Sequence, residues 1–157
     1  MSNILVLAEQ QNGKVTKASK CAITAAKQLA NKTGGSFSIA LAGHGIDGQA
    51  GELTGHGADR VVQLENPALL GYTAQAYSQA YAAAAKAMGA QFVVSAATAV
   101  GKDLSPRVAA RLGAGQASEI LSIEGSGGDI HYRRPMWAGN VIARIRIKTP
   151  IQVITVR

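Results

Sequence analysis

The 157 residues, 47% of them apolar, suit one globular domain spanning 1–157 with a sizeable core, and exclude a disordered chain. No run approaches the ~20 apolar residues of a bilayer-spanning helix, the start MSNILVLAEQ lacks the plan of a signal peptide, and a lone cysteine excludes an internal disulfide. A net charge of +7 with only 4% aromatic residues fits a local partner surface rather than a nucleic-acid-binding face, and a soluble, cytoplasmic protein is expected.

Ile4–Ala8 is nearly all apolar and reads as a strand covered on both faces, as in parallel sheets. Asn12 and Gly13 mark a loop. From Thr16 to Asn31, apolar Ala18, Cys21, Ala22, Ala25, Ala26, Leu29 and Ala30 recur at helical spacing, which predicts buried packing for Cys21. Gly34 and Gly35 stop that helix. Phe37–Ala42 reads as a second strand, Gly43–Gly57 as a loop around a short helix, and Val61–Leu64 as a third strand. Thr73–Met88 is an alanine-rich helix with Gly89 at its end, and Phe92–Ala96 is a fourth strand. In the stretch that follows, Gly101-Lys102-Asp103 reads as a loop, Ser105 as a helix cap and Pro106 as the first helical residue.

This alternation predicts a three-layer α/β/α fold with a mostly parallel sheet. The C-terminal third differs. Ser118–Ile123 looks like a strand and Gly125–Gly128 like a flexible link. IHYRRPMW and NVIARIRIK then flank Ala138-Gly139, and in the second of these Val141, Ala143, Ile145 and Ile147 alternate with Ile142, Arg144, Arg146 and Lys148. Period two marks a strand with one covered and one wet face, so antiparallel strands are expected here, and IQVITVR is a further strand.

Little in the chain specifies chemistry. GHGIDG, Gly43–Gly48, has the spacing G-x-G-x-x-G, but a dinucleotide fingerprint follows the first strand and opens a long helix, whereas this one runs into glycine-rich sequence. Gly101-Lys102-Asp103 lies where a phosphate would sit in an α/β sheet. It is not a Walker loop, because Ala96 stands at the first glycine and Asp103 replaces the hydroxyl that holds magnesium. The structural reading is that Asp103 favours the positive helix end while Arg107 and Arg111, four apart, project towards solvent or a partner. His44, His56 and His131 match no compact metal motif, and no nucleophile elbow is present. Glu9, just after the first strand, and Gly101 and Lys102 are the candidates for touching a ligand, without a second group for acid–base work. Trp137, beside Arg134 and Pro135, is suited to anchor an interface or to pack over a sheet edge.

NILVLAEQQNGKV, SAATAVGKDLSPRVAARLGAGQASEI and RRPMWAGNVIARIRIKTPIQVITVR, in this order and spacing, resemble the N-terminal domain of the electron transfer flavoprotein α-subunit family. The resemblance covers essentially the whole chain. Its most specific parts are Gly101–Leu112, Arg134–Asn140 and Val153–Arg157. It implies the α/β fold shared by adenine-nucleotide α-hydrolase-like and electron transfer flavoprotein domains. It also implies an α/β heterodimer with one FAD, passing electrons from acyl-CoA and other dehydrogenases to a membrane quinone oxidoreductase. In that family a second domain, after the V-I-T-V-R strand, holds most of the FAD, so this chain is expected to carry no cofactor of its own and no catalytic residue. The β subunit shares the fold and binds AMP in the sheet crevice. Arg107, Arg111, Arg134, Trp137 and Asn140 are then the residues expected to face the β subunit, and the exposed surface would let the isolated domain self-associate. The alternative is a free-standing AMP- or ATP-binding domain using the crevice near Glu9, Ala42 and Gly101.

Overall fold

The computed structural model describes residues 2–157. Its elements in chain order are β1 (Asn3–Ala8), β2 (Gln10–Gln11), β3 (Lys14–Val15), α1 (Lys17–Thr33), β4 (Ser36–Gly43), α2 (Asp47–Glu52), β5 (Val61–Glu65), α3 (Ala74–Ala87), β6 (Phe92–Ala96), α4 (Ala99–Leu112), β7 (Gly115–Ile120), β8 (Ser122–Ser126), β9 (Asp129–Met136), β10 (Val141–Ile145) and β11 (Gln152–Val156). Single 3-10 turns cover Pro67–Leu69 and Trp137–Gly139.

Six strands form a parallel sheet in the order β5-β4-β1-β6-β11-β7. Along β1, Ile4, Val6 and Ala8 enter one core while Leu5 and Leu7 enter the other, which is why an unbroken apolar run is needed there. On the first face lie α1 and a three-stranded antiparallel sheet, β10-β9-β8, whose Ile123, Ile130 and Tyr132 pack into the same core as Leu29. On the second face α3 and α4 cover Leu5, Leu7 and Val93 through Tyr81, Ala85, Leu104 and Val108. The predicted α/β/α architecture with antiparallel strands near the end is therefore observed, with half of one outer layer supplied by strands. β11, last in sequence, sits inside the sheet between β6 and β7.

Several local expectations need correction. α4 begins seven residues before the predicted start: Thr98, not Ser105, is the N-cap, its hydroxyl accepting from the Gly101 amide at 2.9 Å. Gly101-Lys102-Asp103 is thus the first turn of the helix rather than a loop. Pro106 lies inside the helix, where it withholds one amide, and buried Ser105 bonds Ser95 of β6 at 2.6 Å. Cys21 is exposed, because it falls on the edge of the α1 face that carries Ala22 and Ala25. The stretch read as one strand over Ser118–Ile123 is two, β7 and β8, and the Gly125–Gly128 link is a hairpin turn held to α1 by Gly127 N donating to Lys32 O at 2.8 Å. Asn12 and Gly13, with φ of 52° and 75°, make the two-residue turn of the β2–β3 hairpin, the geometry for which Asn-Gly is suited. In β10 the alternation holds from Ala143, but Val141 and Ile142 are both exposed.

Candidate functional site

The chain leaves β1 for β4 on one side and reaches β6 on the other, so the carboxyl ends of β1 and β6 flank the switch point where open α/β sheets bind ligands. A crevice of about 560 Å³ opens there, lined by Ala8, Glu9, Ala42, Tyr72, Tyr81 and Thr98 among others. Tyr81 ties its floor: the hydroxyl donates to Ala8 O at 2.9 Å and accepts from Ala42 N at 3.0 Å, spanning β1 and β4. Tyr77 and Tyr72 continue an edge-to-face series, with ring centroids 6.3 and 5.1 Å apart, and Tyr72 donates to Asp103 Oδ2 at 2.9 Å. Burial raises all three phenols above their ordinary value, so they act as neutral donors.

The start of α4 is where an anion would be held. It is already occupied from within. The Thr98 hydroxyl takes the Gly101 amide and donates to both carboxylate oxygens of Glu9, at 2.7 and 2.9 Å. Gly101 permits this closeness: a Cβ there would collide with the Ala96 carbonyl and lie 3.3 Å from Glu9 Oε1. Burial raises the Glu9 carboxyl above its usual range, and the Thr98 hydrogen bond pulls it back only in part. The second glycine-rich strand end repeats the arrangement. Glu65 accepts from Gly45 N at 2.8 Å, from Ile46 N at 3.4 Å and contacts His44 Nδ1 at 2.7 Å. The Gly45 amide foremost, then Ile46 and His44, hold the Glu65 carboxyl below its usual value. In both loops a carboxylate of the chain meets strand-end amides, Glu65 directly and Glu9 through the Thr98 hydroxyl.

The predicted site residues separate into groups. Glu9 and Gly101 meet in the crevice, but Lys102 turns away to pair with Glu119 at 2.9 Å. Arg107 pairs with Asp103 at 3.5 Å along α4, and Arg111 reaches α3, donating to Ser78 Oγ at 3.1 Å. Arg134, Trp137 and Asn140 come together on the β9–β10 hairpin, where Asn140 N donates to Trp137 O at 3.1 Å and closes the tip. That tip is apolar and bare: Trp137 is 76% exposed, and Met136, Val141 and Ile142 are exposed beside it. Among the described residues no group of three or more His, Cys, Asp or Glu could hold a metal, and no helix is long and apolar enough to cross a membrane.

Residues 4–157 match the family described as "Electron transfer flavoprotein domain". The chain belongs to that family. This electron transfer flavoprotein domain is 34% identical to the electron transfer flavoprotein subunit alpha of Thermoanaerobacterium thermosaccharolyticum, over 99% of the chain and 48% of that protein. It is 32% identical to the subunit of the same name from Bacillus subtilis, over 98% of the chain and 47% of the relative. It is also 32% identical to a protein of Anaerotignum propionicum named acryloyl-CoA reductase electron transfer subunit beta, over 78% of the chain and 33% of that protein. The chain spans about half the length of the α-subunit relatives it matches.

The family is one of flavoproteins; in the crevice of this domain the Thr98 hydroxyl links the Glu9 carboxylate to the Gly101 amide of α4. Reading the sequence missed Thr98, Tyr81, Glu65 and Glu119. Thr98 had a visible signal, a Thr opening an Ala-Val-Gly turn, which Ser-Pro seven residues later outweighed. The roles of Tyr81, Glu65 and Glu119 depend on neighbours 39, 20 and 36 residues away, and nothing local announces them.

Proposed function

We propose that this chain is the scaffold part of an electron transfer flavoprotein α subunit: it pairs with the β subunit and supports an FAD held by other parts of the assembly. The observation that carries the reading is the bare β9–β10 tip, where Met136, Trp137, Val141 and Ile142 are exposed together next to Arg134. Apolar surface grouped around an exposed tryptophan and an arginine is the composition of interface hot spots. The relatives named electron transfer flavoprotein subunit alpha support an electron-transfer role. The wider role proposed here is that the assembly takes electrons from acyl-CoA and other dehydrogenases and passes them to a quinone oxidoreductase. FAD supplies the redox chemistry of such an assembly. This chain's own residues supply position: Thr98, Glu9 and Tyr81 lock the strand ends, and the hairpin presents the docking surface.

The test is binding to the β subunit by isothermal titration calorimetry. The purified chain is expected to be colourless and to bind, with Trp137→Ala and Arg134→Glu each weakening affinity by about tenfold or more. Arg107→Glu reports whether α4 shares the interface. A yellow preparation with stoichiometric flavin, or full affinity in both hairpin variants, would remove the scaffold reading.

A further inference from the structure

Beside the hairpin tip lies a second cavity, of about 500 Å³, lined by Glu119, Arg134, Pro135, Met136, Trp137 and Arg157, with Ala138 and Gly139. Among the described residues, four non-glycine ones have φ in the left-handed region: Asn12, Glu119, Trp137 and Ala138. Asn12 serves a hairpin turn. The other three, at φ of 55°, 51° and 53°, all line this one cavity. Backbone strain of this kind gathers at functional sites.

The strain has visible causes on one side. β7 loses register against β11 between Ile154 and Val156, so Glu119 bulges out with its amide donating to Thr155 Oγ1 at 2.8 Å. That turns the Glu119 carboxylate towards Lys102, 2.9 Å away, with Arg157 and Arg134 near enough to hold it, after Lys102, below the usual carboxylate range. Three cations thus face one carboxylate. Arg134 also carries a buried Nε with no hydrogen-bond partner among the described residues. A buried guanidinium N–H left unmatched is costly, so this side chain is held at the cavity at an energetic penalty. The same cavity is lined by apolar Pro135, Met136 and Trp137, the last two exposed.

We propose that this cavity receives an acidic side chain from an apolar segment of the docking partner, its carboxylate meeting Arg134 and Arg157 while the flanking residues cover Trp137 and Met136. The inference rests on the docking reading above and specifies its chemistry. A bare phosphate would match the surplus charge but leave the apolar lining wet, whereas a carboxylate carried on an apolar segment satisfies both.

Trp137 is the only tryptophan of the chain, so its fluorescence reports on this cavity alone. The probes are the peptide acetyl-Leu-Glu-Leu-Asp-amide, its uncharged counterpart acetyl-Leu-Gln-Leu-Asn-amide, and inorganic phosphate. A saturable change is expected with the acidic peptide, about tenfold weaker with the uncharged one. It should be lost or strongly weakened in Arg134→Gln and in Arg157→Gln, the second variant lying at an exposed position. Equal response to both peptides, response to phosphate but not to the acidic peptide, no response at all, or unchanged binding in both variants would each overturn the proposal. Affinity for the β subunit that persists while the acidic peptide is silent would leave the docking reading standing and remove this one.

Discussion

Two glutamates with the same partners in outline have opposite electrostatics. Glu65 accepts backbone amides directly, so its carboxyl lies below the ordinary 4.5; its contribution to stability is complete above that value and is lost as pH falls through the depressed one. Glu65→Gln should therefore lower the thermal midpoint at neutral pH, with the gap to wild type closing below about pH 4. Glu9 reaches the α4 amides only through the Thr98 hydroxyl, so burial wins and its carboxyl lies above 4.5. The native state then holds its proton more tightly than the unfolded chain, and ionisation penalises folding increasingly as pH rises. Glu9→Gln should raise the midpoint at neutral pH, the gain vanishing below about pH 4.5. Calorimetric unfolding across pH checks both, and a gain independent of pH would refute the account of Glu9.

At the scale of elements, single hydroxyls join pieces that hydrogen-bond ladders leave apart. Tyr81 on α3 bridges β1 and β4, and Ser105 on α4 bonds Ser95 on β6. Tyr81→Phe keeps the ring packing but leaves the Ala42 amide and the Ala8 carbonyl buried without that partner. A loss of roughly 1–3 kcal/mol in urea unfolding is expected; a neutral substitution would show that water takes over the bridge. The misplaced start of α4 belongs to this scale too. Pro106 is a strong helix-start signal in isolation, and it was outweighed because Ala99–Leu104 must bury Leu104 against the sheet and because Thr98 caps the helix under Glu9. Tertiary contacts overrode the local preference, at the cost of one helical amide.

Across the whole molecule, carboxylates lie at the strand ends and cations gather elsewhere. Both strand-end loops that could bind an anion hold internal carboxylates, while Arg134 and Arg157 line the hairpin cavity and Lys102 pairs with its Glu119. AMP and ATP are therefore expected to show no saturable micromolar binding to the chain by calorimetry. Such binding would favour a nucleotide-binding role over the scaffold. The positive net charge is accordingly a property of faces, and its location matters more than its sum.

The sequence by itself determined the parallel α/β core, because strands buried on both faces must be apolar throughout and the helices between them must carry an apolar stripe; Ile4–Ala8, Phe92–Ala96 and the alanine-rich α3 show this without any neighbour in view. It also carried the family, whose residues run from one end of the chain to the other. Only the tertiary structure decided what the strand ends can bind. Whether Glu9 is a ligand contact or a plug depends on Thr98, and whether Arg134 is a solvated charge or an unmatched donor depends on how the hairpin folds over Glu119. Periodicity records which face of an element is covered, whereas a site is made by residues far apart in the chain, whose meeting no local pattern encodes.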